Sequence, residues 1–497
     1  MHSSLWLSLL IAVPLAGALA AALVRERLNA AYRVAVGTSV IEMALSLVVA
    51  FLYNNAVPGA ATFDFAGRWV LAAPFGLAYD VALDGISLLM VVLTALVVLL
   101  ALLGARDTRR EGAFVAWLLL LTSFTMGSFL AHDVLEFFIF FELTLVPAYF
   151  IISQWGGAQR SRAALKFFVY TFTGSAFLFV GTLYLGFAHQ HQTQGALTFA
   201  YSALSSTAMS SGTATWLFIA FAIAFAVKSP IWPLHTWSPL TYAEAPTAGS
   251  IELSALLAKL GSYGLLRFAF ALFPLAQANV RPVMLSLAVI GIIYGSALAA
   301  VTPDLKRLVA FSSLAQMGFI TLGIMTGSKI AMVGAVLLMF NHGVITVGFF
   351  LLIGFIEKRR GSATIADLTG WQGPAPVLAA LFTVVMLASI GLPGLSGFVS
   401  EYLILIGAFA THAWWALVGT LGVVLAALYL LWAYQRVFHG RHHGEAISDA
   451  SARERWVMVP VVVLIVALGV FPRPVLDRIS PSVQQVIEHV APAGVSK

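Results

Sequence analysis

Two stretches of this chain place an ionisable side chain beside residues that break helices, inside otherwise apolar sequence. The first is FAIAFAVKSPIWPLHTWSPLTYAEAP, residues 221–246. It sets Lys228 within an apolar helix and follows it with Pro230 and Pro233. Proline removes a backbone donor and clashes with the preceding turn, so the helix breaks there. The second is LASIGLPGLSGFVSEYLIL, where Gly391, Pro393, Gly394 and Gly397 interrupt the helix and Glu401 follows. A charge in hydrocarbon is expensive and faces a protein interior or a watery cavity. Irregular backbone at membrane depth needs the same shelter. An ionisable group beside a broken helix is therefore the kit for moving protons or cations.

Other intramembrane ionisable groups extend this chemistry. Glu142 stands in EFFIFFELTLVP, near mid-membrane, and needs a partner or a proton. Lys228 is its natural partner. Glu136 lies six residues earlier, about 240° around the helix, and reads as an interfacial carboxylate. Lys259, in TAGSIELSALLAKLGSYGLLRF, lies about 18 Å along its helix from Thr247. That depth opposes a snorkelling lysine. Glu252 is expected two turns earlier on the same face. His342, beside Asn341 in LLMFNHGVITVGF, is either a packing residue or a titrating one. Gln316, in SSLAQMGF, cannot titrate but can hold water or a neighbouring side chain. In helix order Glu142, Lys228, Lys259, His342 and Glu401 form a candidate proton relay. Moving one charge across is worth about 2.3 kcal/mol per 100 mV. The chain has no Walker loop, no dinucleotide fingerprint and no haem or flavin motif. The work must come from an ion gradient or another subunit.

The composition says what holds these residues. Of 497 residues, 60% are hydrophobic and 10% charged, against about 25% charged in soluble domains. The mean hydropathy is +0.94. The reading is an all-α polytopic membrane protein. Cysteine is absent, which excludes disulfides, thiolate metal sites and Fe–S ligands in this chain. The net charge of +6 reads as basic loops, and no nucleic-acid motif is present. The first apolar run lacks a basic leader and is followed by Arg25, Glu26 and Arg27. It reads as a retained membrane helix, not a signal peptide.

Windows of about 20 apolar residues predict fourteen spans: 4–24, 32–53, 84–104, 113–131, 134–154, 164–188, 213–240 (broken), 247–272, 282–301, 305–326, 330–356, 377–410 (broken), 411–435 and 456–472. With the N-terminus outside, the inside loops hold 18 Lys and Arg, the outside 7, and Lys228 and Lys259 lie within spans. This asymmetry places both termini outside. The region 54–79 is expected to form a hairpin or a surface helix. The basic loop with His439, His442 and His443 reads as solvated, having no further ligand at metal-like spacing. The two broken spans are five ordinals apart and so run in opposite directions, the mark of an inverted repeat. The expected units are 1–111 (spans 1–3), 112–273 (first five-helix repeat, broken near 228–233), 274–440 (second repeat, broken near 391–397) and 441–497 (polar loop and span 14).

Together, Glu142 in FFELTLVP, AVKSPIWPLHTWSP, TYAEAPTAGS, DLKRLVAFSSLAQMGF and GLPGLSGFVSEYL resemble the antiporter-like membrane subunits of respiratory complex I. The resemblance covers nearly the whole chain. It implies fourteen helices and one proton route driven by redox chemistry in other subunits, which would carry NADH, FMN, Fe–S clusters and a quinone. Glu401, where L-type, N-type and Mrp antiporter relatives usually carry lysine, together with an end soon after span fourteen, resembles the M-type subunit (chain 4 in the mitochondrial naming). The resemblance then implies L-type and N-type neighbours, a bacterial inner membrane with lipid around it, and roles for the relay residues. Glu142 and Lys228 would tune proton affinity, Lys259 would be the central relay and Glu401 the exit-side group. Many members have histidine where this chain has Gln316, which puts a titratable link between Lys259 and His342 in question. An Mrp-type cation/proton antiporter subunit and a passive scaffold are the alternatives.

Overall fold

Long apolar runs punctuated by proline, glycine and charged turns fold as helices, because backbone polar groups in hydrocarbon must be satisfied within their own segment. The computed structural model describes residues 2–53, 64–105, 112–441 and 447–490. In chain order the elements are α1 (His2–Leu23), α2 (Leu28–Leu52), strands β1 (Asp64–Ala72) and β2 (Leu77–Leu83), α3 (Gly85–Gly104), α4 (Gly112–Leu130), α5 (Val134–Leu143), α6 (Leu145–Trp155), α7 (Arg160–Thr193) and the short α8 (Tyr201–Leu204). They continue with α9 (Ser211–Lys228), α10 (Ser238–Glu244), α11 (Thr247–Glu252), α12 (Ala258–Gly264), α13 (Gln277–Val301), α14 (Leu305–Met325), α15 (Lys329–Arg360), α16 (Pro376–Ile390), α17 (Ser396–Phe438), α18 (Ala452–Val470) and α19 (Arg473–Val490).

Among the described residues, 12 helical stretches are long and apolar enough to cross a membrane, or 13 if α18 and α19, bent by 73°, count as one. The difference from the expected fourteen lies in how α17 and α18 are counted. α16 has only 15 residues, and α17 runs on for 43. At 1.5 Å per residue, α17 is roughly twice as long as the ~30 Å hydrocarbon layer is thick. Non-helical backbone at His412 (φ −143°, ψ 56°) divides it. α16 with the first part of α17 then makes one broken crossing and the remainder of α17 another. α19 was not foreseen. Its buried residues, Ile479, Ser482, Val483 and Val486, lie on one face of a largely polar helix.

The layers sort by burial. The apolar stretches of α11–α12 and α15 are buried throughout and α14 almost so, whereas α1, α2, α7 and α17 leave much of their surface outward. The hairpin expected in 54–79 is present over its described part, with Trp69 opposite Tyr79 in an antiparallel pair. Glu136 is not interfacial. It is buried, and its Oε2 accepts the Asp80 N–H at 2.9 Å, tying β2 to α5. Asp84 caps α3 by accepting the N–H groups of Ile86 and Ser87, and it pairs with Arg267. Both members of this pair are buried, so each charge is compensated by the other. At the opposite end Lys306 meets Glu357 at 2.6 Å and Arg359 meets Glu454 at 2.6 Å. Asp449 accepts the first N–H groups of α16, from Val377 and Leu378. His442 and His443 lie outside the described residues.

Candidate functional site

The first break is resolved atom by atom. Pro230 has no N–H for the Ala226 carbonyl, and the N–H of Ile231 takes it instead at 2.8 Å. The Phe225 carbonyl accepts from Ser229 N–H and the Val227 carbonyl from Trp237 Nε1, each at 2.8 Å. Lys228 is therefore the last residue of α9, not a mid-helix residue. A cation at a helix C-terminus is stabilised by the free ends of the last peptide dipoles.

Its neighbours correct the expected pairing. Lys228 Nζ donates to Thr144 Oγ1 at 2.9 Å and stands 4.6 Å from the centre of the Phe141 ring. Thr144 occupies the joint between α5 and α6, where Pro147 cannot donate to the carbonyl four residues back. Glu142 lies close enough for Lys228 to act on it, with Ser175 of α7 beside it. No ion pair within 4.0 Å joins Glu142 and Lys228 among the described residues, and Glu142 Oε1 is buried without a partner. The group that Lys228 touches is Thr144, whose own hydroxyl donates to the Phe141 carbonyl at 2.7 Å.

Lys259 is fully buried. Its Nζ donates to the Ser254 carbonyl at 2.7 Å and meets His342 Nδ1 at 2.6 Å. It sits in α12 between two π-helical turns, Leu253–Leu257 and Leu265–Phe270. Such turns widen the helix locally and recur at functional sites. Because a π turn separates them, Glu252 is not two regular α turns from Lys259. Glu252 is fully buried, and neither of its carboxylate oxygens has a hydrogen-bond partner among the described residues. Gly261 lets α12 press against the end of α9: a Cβ there would stand 2.5 Å from the Phe225 carbonyl oxygen and from Ser229 Oγ. Across that contact Ser229 Oγ donates to the Ala258 carbonyl at 2.7 Å and meets Ser262 Oγ at 2.9 Å. Hydroxyls thus lie between the two lysines.

His342 touches Lys259 directly, so Gln316 does not stand between them. Gln316 belongs to the second break, where its Nε2 donates to Glu401 Oε1 at 2.8 Å. Asn341 Nδ2 donates to the Ser396 carbonyl at 2.8 Å and to Ser400 Oγ at 3.2 Å, fixing the start of α17. Gly391 (φ +82°) and Gly394 (φ +91°) take left-handed backbone that costs other residues about 1–2 kcal/mol each. The Leu392 N–H closes the α16 end on the Leu387 carbonyl at 3.0 Å. A Cβ on Gly391 would stand 2.6 Å from Glu401 Oε2, so this glycine also makes room for the carboxylate.

Sequence reasoning missed three buried polar residues. Thr144 was signalled only by Pro147 three positions on. His235 lies in the first break, with its ring 5.2 Å from that of Tyr294. Glu42 of α2 is buried, with both oxygens unpartnered among the described residues. Its signal was the stripe Thr38, Ser39, Glu42 and Ser46 at helical spacing.

The family described as NADH:quinone oxidoreductase/Mrp antiporter, TM, matches residues 131–428. A relative from Mycobacterium tuberculosis (strain CDC 1551 / Oshkosh), named NADH-quinone oxidoreductase subunit M, is 36% identical over 99% of this chain and 95% of its own. A chain of respiratory complex I from Thermus thermophilus with bound NADH matches with a TM-score of 0.88 and 31% identity, covering 98% of this chain and 100% of that one. A chain of the Mrp complex from Dietzia sp. DQ12-45-1b shares the fold, with a TM-score of 0.85 at 21% identity over 99% of each chain. The broken helices and buried ionisable groups thus sit on the scaffold of the antiporter-like membrane subunits. The chain belongs to the NADH:quinone oxidoreductase/Mrp antiporter family. Within it, the M subunits of NADH-quinone oxidoreductases are the relatives it resembles over nearly its whole length.

Proposed function

We propose that this chain is the M-type, proton-translocating membrane subunit of an NADH:quinone oxidoreductase. Redox chemistry in other subunits, which hold NADH, FMN, Fe–S clusters and quinone, drives it. The observation that carries this reading is the 2.6 Å contact of Lys259 with His342. It joins the expected first five-helix repeat, 112–273, to the second, 274–440. On one side lie Ser262, Ser229, Lys228, Thr144 and Glu142; on the other, Asn341, Gln316 and Glu401. Glu142 and Lys228 tune proton affinity, Lys259 and His342 pass the proton between halves, and Glu401 releases it beside the Gly391 break. The two halves are inverted repeats, both termini lie outside a bacterial inner membrane, and L-type and N-type subunits flank the chain. Lysines and arginines concentrated in one set of loops support that orientation.

Lys228→Ala and Glu401→Ala in the assembled complex are expected to lower NADH-driven proton pumping. Normal pumping in both variants contradicts the assigned roles. The other use of this fold, cation/proton antiport, would show as sodium flux from the chain reconstituted alone.

A further inference from the structure

A cleft of about 320 Å³ lies where α2, α3, α15, α18 and α19 meet. Leu47, Phe51, Leu88, Phe340 and Leu468 are among the residues that line it. Every lining residue is apolar or glycine except Arg478 of α19. Phe51 is 86% exposed, so the cleft opens sideways onto the lipid. Its lining on α3 runs from Gly85 to Val92, which takes it about 10 Å along the helix from its first residue. Above it, α19 turns 73° away from α18 and is pinned to the end of α3 by the Gly85 N–H donating to Ser482 Oγ at 2.9 Å. The cleft is thus a slot running into the hydrocarbon with a guanidinium at its head.

The guanidinium narrows what fills it. Arg478 Nη1 donates only to the Pro474 carbonyl of its own helix, at 3.2 Å. No ion pair engages it among the described residues, whereas Arg473 is paired with Asp477 at 3.5 Å. Its remaining donors are free to fork onto a phosphate. An apolar helix of a neighbouring subunit would leave the guanidinium unmatched. A neutral isoprenoid would leave the cation unmatched at the edge of the hydrocarbon. We propose that this cleft holds one acyl chain of an anionic phospholipid whose phosphate is clamped by Arg478. Basic residues between helix ends are how membrane proteins select such lipids.

The test uses the whole complex, purified in mild detergent and washed to constant lipid content. Phosphatidylglycerol, cardiolipin and phosphatidylethanolamine per complex are then counted by mass spectrometry. Arg478→Gln changes an exposed side chain, and Leu468→Phe fills the slot without touching the charge. Each is expected to lower retained anionic lipid by one molecule per complex and leave phosphatidylethanolamine unchanged. Unchanged anionic lipid in both variants overturns the proposal. Loss of phosphatidylethanolamine in its place overturns the anionic occupant.

Discussion

The two helix breaks hold opposite charges by different means. At the first, prolines end α9 so that Lys228 falls at the helix terminus, where peptide dipoles, the Thr144 hydroxyl and the Phe141 ring surround the ammonium. At the second, glycines with left-handed backbone end α16, and Glu401 stands six residues into α17, beyond the first turn where a helix dipole acts. Its support is the Gln316 amide. Neither charge is in a direct ion pair among the described residues. Each rests on neutral polar groups, which leaves its proton affinity open to a small displacement of a neighbour. A tight buried ion pair would lock both members in place.

That contrast can be broken in order of expected effect. Thr144→Val at the first break and Gln316→Leu at the second each strip a hydrogen bond from a buried ionisable group. Each is expected to lower the stability of the complex by about 1.5–3 kcal/mol, read as a fall in thermal midpoint, and to reduce pumping. Thr144→Ser restores the bond and should restore both. If Thr144→Val matches wild type, the hydroxyl is not what holds Lys228. Gly391→Ala combines the left-handed φ with a clash at Glu401. A loss of about 1–2 kcal/mol is expected, whereas Pro230→Ala should change stability by less than about 1 kcal/mol. Equal effects at the two sites would erase the distinction between them. The smallest stability change is expected from Glu142→Gln, within about 0.5 kcal/mol, because no ion pair is lost. Its turnover should fall nonetheless, and an unaltered rate would remove Glu142 from the relay.

The sequence made the breaks and their ionisable groups legible because both are local: a proline or glycine within an apolar run, and a charge beside it. The five relay residues are all buried or half-buried in the structure. Partnerships were not legible. Lys259 and His342 lie 83 residues apart and Gln316 and Glu401 lie 85 apart, so which helix faces which decides them, and no local period carries that. The π turns around Lys259 escaped notice because their backbone angles stay within the helical region and only the hydrogen-bond pattern changes. The division of α17 was legible: the expected boundary between spans 377–410 and 411–435 falls beside the His412 kink. α19 was lost because its apolar face is narrow and the rest of the helix polar. Glu42 was overlooked among the outward-facing residues of α2, although the Ser and Thr at its spacing marked an inward face.

The central claim is that Lys259 and His342 carry a proton between the two halves. The most direct measurement is NADH-driven proton uptake into vesicles by the complete complex with Lys259→Ala, set beside wild type at equal assembled content. The substitution leaves His342 facing an empty site, and uptake is predicted to fall well below wild type. Full uptake with Lys259 removed would contradict the account.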